Sequence, residues 1–147
     1  MKELTFSDIP YKWAICYQMD CPLAAQCLRR HAAQLAPADL LAHNVVLPAA
    51  RLETSCRAFV ADEPVMLAYG MTNLFDGVKT WDVPRLRQLI QPIFGRQSHY
   101  YRYREGRYPI SPAQQARVAE VFRQNGYTSS LHFDRTEAGW FFPSMGN

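Results

Sequence analysis

Between Ser111 and Gly126 the chain marks both where a helix begins and where it must stop, and this stretch constrains the fold more than any other. The Ser111 hydroxyl can accept from the first free backbone N–H groups. Pro112 has no N–H to leave unpaired at the first helical position, and Asn125-Gly126 offers a left-handed stop. The spacing predicts a helix over 112–125. Ala116, Val118, Ala119, Val121 and Phe122 form its apolar stripe, leaving Gln114, Arg117, Glu120 and Arg123 to water. Directly before it runs FGRQSHYYRYREGRYPI, residues 94–110, dense in arginine and tyrosine.

That run reads in two ways. In the first, Arg85 to Ile93 is a helix, Gly95 a turn, and Gln97 to Arg104 the second helix of a helix-turn-helix. Arg96, Gln97, Ser98, Tyr101, Arg102, Arg104 and Arg107 are then the candidates for contacts to nucleic acid, because arginine pairs with guanine and glutamine with adenine in the major groove. In the second, His99 to Arg104 and Arg107 to Ile110 are the strands of an edge hairpin turning at Glu105-Gly106, as tyrosine's strand preference favours. A hairpin of this composition can still stack bases.

Charge sharpens the interest of this region. Eight arginines lie between Arg85 and Arg123, with no lysine and only Glu105 and Glu120 in opposition, for a local balance of +6. The whole chain carries +3, so the remainder carries −3. An arginine-rich face suits phosphate or an acidic protein partner, although arginine stems also pack on tyrosine rings in ordinary surfaces.

The other concentration of chemistry is thiol. Cys16, Cys21 and Cys27 fall within twelve residues, and Cys56 follows 29 positions after Cys27. Soft cations prefer sulfur and take about four ligands, so these cysteines are the candidate ligands of a structural zinc ion or an iron-sulfur cluster. Inert buried thiols and a thiol switch are the alternatives, since the spacing lacks the short Cys-x-x-Cys knuckles of common zinc modules. Pro22 is expected to open a helix to about Leu35. Cys27 and His31 would share one of its faces, making His31 a reserve ligand.

Elsewhere the pattern is weaker. Phe6, Ile9, Tyr11, Trp13 and Ile15 suggest an arm laid on the core, and 64–75 suits either helix or strand. Asp82 and Pro84 start a helix to about Phe94 that Pro92 should shorten. Ser130 to Phe133 is a possible strand, Asp134 to Gly139 a charged turn, and Trp140 to Pro143 an aromatic tail docked on the core. No run approaches the roughly 20 apolar residues of a membrane span, and the acidic start lacks the form of a signal peptide, which points to a cytoplasmic protein with reduced thiols. Phosphate loops, nucleophile elbows and His-Glu-x-x-His are absent, so no enzyme class is indicated. A cysteine nucleophile would have His31, His43, His99 and His132 as equivalent candidate bases.

Cys16-x4-Cys21-Pro22-x4-Cys27-Leu28-Arg29, taken with Phe94-Gly95-Arg96, Tyr100-Tyr101-Arg102, Ser111-Pro112-Ala113 and Phe122-Arg123, resembles an uncharacterised family of small bacterial proteins, a domain of unknown function found chiefly in gut and oral anaerobes. Ser98 to Pro112 also resembles repressor-type helix-turn-helix domains, with Arg96 and Gln91 departing from their pattern. The first resemblance implies that the cysteine and Tyr-Arg segments form one unit in which Cys56 completes the cysteine group. The expectation is thus a mainly helical α+β single domain over 1–147, with a cysteine-bearing part (1–57) and a basic part (58–147). Its expected role is nucleic-acid-binding regulation with a structural cysteine site, or else metal binding with the basic face meeting an acidic protein.

Overall fold

The structure is a computed structural model that describes residues 2–145. The fold is α+β, with more helix than strand. Contacts divide the chain into two compact units, one made of the residues up to Pro64 with those from Phe142 on, the other of Val65–Phe141. No helix among the described residues is long and apolar enough to cross a membrane.

The first unit holds one α-helix, α1 (Leu28–Leu35), and otherwise short 3-10 turns and single bridges. Ile15 pairs with Val45, Cys27 with Ala61 and Arg51 with Cys56, so its segments are tied at points rather than by a sheet. The arm does dock: Leu4, Ile9, Trp13 and Ile15 are buried, while Tyr11 faces water. The expected start of α1 is corrected. Pro22 leads only into a 3-10 turn, Ala24–Gln26, and Cys27 is extended (φ −107°, ψ 123°), because its backbone pairs with Ala61 instead of continuing a helix. Cys27 therefore caps α1 and does not share a helical face with His31.

The second unit carries β1 (Val65–Tyr69), α2 (Val83–Ile90), α3 (Gln97–Arg104), α4 (Pro112–Gln124) and β2 (Arg135–Gly139). The two strands are antiparallel, in register from Val65 opposite Gly139 to Tyr69 opposite Arg135. α4 starts as its sequence dictates: the Ser111 hydroxyl accepts from the Gln114 N–H at 3.2 Å and the Gln114 side chain accepts from the Ser111 N–H at 3.0 Å. Val118 and Phe122 are its buried residues, whereas Ala116 and Ala119 face solvent. α2 stops at Ile90 and tightens into a 3-10 turn over Gln91–Phe94, the expected effect of Pro92.

The hairpin alternative for 97–110 does not form, because the tyrosines follow a helical period. Tyr100 and Tyr103, three apart, both pack on Phe94 (ring centroids 6.2 and 4.8 Å), while His99 and Tyr101 point out. Gly106 (φ 82°) ends the helix rather than turning a hairpin: the Gly106 N–H reaches the Tyr103 carbonyl and the Arg107 N–H that of Arg102, a Schellman stop. Ile110 instead bridges Ala68 of β1.

The C-terminal expectation is also corrected. Ser130 to Phe133 is irregular, and the strand is Arg135–Gly139, aligned on β1 by Asp134. The Asp134 carboxylate accepts from the Thr72 hydroxyl at 2.6 Å and from the Thr72 and Asn73 N–H groups at 3.1 and 3.0 Å. Burial alone would raise its pKa, but these hydrogen bonds prevail and hold it below the ordinary 3.8. A carboxylate with a depressed folded pKa contributes stability above its unfolded pKa and loses it as pH falls through the folded value. Resistance to urea should therefore decline below about pH 4, and Asp134→Asn should flatten that decline. Parallel pH profiles of the urea midpoint for the two proteins would refute this.

Candidate functional site

Cys16, Cys21, Cys27 and Cys56 are free, half-buried thiols, and all four line a single cavity of the first unit. Different local structures bring them there. Cys16 follows the Ile15 bridge and its N–H donates to the Arg29 carbonyl at 3.0 Å. Cys21 sits in the loop before the 3-10 turn, Cys27 at the cap of α1, and Cys56 on the bridge to Arg51. The void is about 20 Å³, room for a single water or ion. Among the described residues, no three histidine, cysteine or carboxylate side chains stand together as a ready metal cage. The sulfurs thus share a cavity without closing around its centre.

His31, the reserve ligand, is engaged elsewhere, its Nδ1 lying 2.9 Å from the Asp62 carboxylate. Beside the thiols stands a residue that the cysteine pattern did not single out. Arg29 is only 2% exposed. Its Nε donates to the Ala58 carbonyl at 2.7 Å, Nη1 to that of Ala14 at 2.6 Å and Nη2 to that of Pro143 at 3.3 Å, and the guanidinium lies over the Trp13 ring at 4.2 Å. Burial pushes its pKa below the ordinary arginine value, while the field of Cys27, Cys56 and Cys16 acts the other way. Arginine nevertheless stays charged. The signal in the sequence was its place on α1: Arg29 lies three and four residues before the buried Ala32 and Ala33, on the inward stripe where a charged residue is out of pattern.

The Tyr-Arg residues form a separate surface in the second unit. Arg96 is the N-cap of α3, and Gln97 and Ser98 make its first turn, all three exposed. Tyr101 and Arg102 also face out, and Arg102 donates to the Tyr108 hydroxyl at 3.0 Å. Arg104 is half-buried and Arg107 pairs with Glu105 at 3.0 Å. No carboxylate among the described residues pairs with Arg96 or Arg102. The structure therefore gathers the exposed candidates along α3, with Arg104 drawn inward and Arg107 partly neutralised.

Against known proteins, residues 1–140 match a family described as a family of unknown function (DUF6078). No curated protein and no solved structure matches the chain.

Proposed function

The chain belongs to this family of unknown function, and from its own residues we propose that it is a metal-thiolate protein whose first unit is closed by one soft cation on Cys16, Cys21, Cys27 and Cys56. The observation that carries the reading is the convergence of all four cysteines, from separate segments, on one small cavity. Four cysteines in this lining are the donor set of a structural zinc ion and equally of an iron-sulfur cluster. Binding would draw the four sulfurs inward, so its free energy becomes folding free energy of this unit. Metal analysis of protein purified anaerobically, with its absorption spectrum, tests this. One zinc per chain without visible colour is expected, and visible sulfur-to-iron absorption would assign a cluster.

A second reading concerns α3. A helix that follows a tight glycine turn (Gly95, φ 88°) and exposes Arg96, Gln97, Ser98 and Arg102 is suited to a nucleic-acid groove. Affinity for duplex DNA should then fall steeply with salt as counterions are released, and Arg102→Ala should weaken binding with the fold intact. Arg30, outside this patch, should matter less. A sequence-reading helix would discriminate by about 1–3 kcal/mol per altered base pair. A salt titration against duplex and single-stranded oligonucleotides decides. Absence of binding at low salt removes nucleic acid as the partner and leaves the basic face to an acidic protein.

A further inference from the structure

The cysteine cavity is lined by cations and hydrogen-bond donors as well as sulfur. Arg29, Arg30 and Arg51 border it, and no carboxylate among the described residues does. Arg51 is engaged by Asp20 at 3.0 Å and Arg30 lies against the Met19 sulfur at 3.2 Å, but among the described residues Arg29 has only backbone carbonyls and an aromatic face. Carbonyl dipoles and a ring quadrupole orient a guanidinium without neutralising it, and a charge removed from water is costly unless an opposite charge balances it. Two further donors belong to residues at the cavity. The Ala58 N–H donates to Cys56 Sγ at 3.4 Å, and Gln18, which borders the cavity, has its Nε2 buried with no hydrogen-bond partner among the described residues.

We propose that Arg29, assisted by the Gln18 amide and the Ala58 N–H, is the built-in counter-charge for a metal-bound thiolate set, a role that rests on the metal reading above. A divalent cation held by four thiolates leaves the group dianionic, and this is the negative charge that buried Arg29 otherwise lacks. Neutral thiols do not supply it. Metal binding and the burial of Arg29 therefore favour one another: each removes the electrostatic cost of the other. A ligating thiolate would offer the buried Gln18 amide an acceptor, and such N–H donors to ligating sulfur stabilise its charge. Arg29 borders the same cavity as the four cysteines and would act on the ligand set through its charge rather than on the cation, so it is a positioning residue.

The test is zinc affinity at fixed neutral pH and ionic strength, by competition with a chromophoric chelator, for the full-length protein and three variants. Arg29→Gln removes the charge and should weaken zinc binding by about tenfold or more. Arg29→Lys keeps the charge while losing the three-way hold on the carbonyls, and should stay within about threefold of the parent. Gln18→Leu should weaken binding by about tenfold, the usual scale for a residue that supports a ligand. Equal loss in Arg29→Gln and Arg29→Lys would make the role structural and overturn the proposal, as would parental affinity in Arg29→Gln. If Arg29→Gln does not fold, Gln18→Leu decides, and parental affinity there overturns it. A parent protein that takes up no zinc would remove the metal reading itself, whereas a binding parent with unaffected variants removes this proposal alone.

Discussion

Cys21→Ser should cost the protein its stoichiometric zinc and lower the stability of the first unit by about 3 kcal/mol or more, because structural zinc supplies roughly 10–16 kcal/mol of apparent binding free energy to the folds it closes. Cys21 is the informative position. Cys27 and Cys56 take part in backbone bridges and the Cys16 N–H bonds to Arg29, so changes there mix ligand loss with local disruption. Among the described residues the Cys21 backbone makes only a local turn bond, accepting from the Ala24 N–H, and its side chain is half-exposed enough for serine to sit without strain. With zinc removed by a chelator, parent and variant should unfold alike, which separates metal loss from packing loss. Anaerobically purified parent protein containing neither zinc nor iron would sink the idea.

Phe122→Ala should cost about 3–5 kcal/mol, measured by denaturant unfolding of the second unit. The ring is 2% exposed and packs on Phe75 (5.8 Å) and Tyr127 (6.4 Å). It also stands where α4 ends, since the Tyr127 and Asn125 N–H groups both donate to the Phe122 carbonyl. Alanine keeps those backbone bonds, so the loss is that of packing: the transfer free energy of the ring plus the void it leaves. A change below about 1 kcal/mol would mean that the core closes without this side chain.

These two sites differ in how plainly the sequence announced them. α4 was legible from end to end, because Ser111, Pro112 and Gly126 act through the backbone within one turn and need no distant partner. α3 was ambiguous for a physical reason: Tyr and Arg tolerate both helix and strand, and a Glu-Gly pair serves a hairpin turn and a Schellman stop equally well. Packing of Tyr100 and Tyr103 on Phe94 decided it, and that contact has no local sequence signature. β2 was missed because Arg135-Thr-Glu-Ala-Gly has no alternating apolar face, almost all of it being exposed, and is held by pairing with β1 and by Asp134. The cysteines stood out as a group, but Arg29 did so only as a misfit on a helix stripe.

The C-terminal segment gives the first unit an unusual schedule. Trp13 Nε1 donates to the Pro143 carbonyl at 2.7 Å across 130 positions, Phe142 meets the Trp13 ring edge-on at 5.0 Å, and the same carbonyl accepts from Arg29. Everything from Val65 to Phe141 intervenes. A ribosome adding about 5–20 residues per second makes Cys56 on the order of ten seconds before it makes Pro143. During that interval the nascent chain holds every thiol of the cavity while one carbonyl that will restrain Arg29 does not yet exist. A premature stop after Phe141 would make this condition permanent, leaving Arg29 the Ala14 and Ala58 carbonyls and the Trp13 ring but never the carbonyl of Pro143.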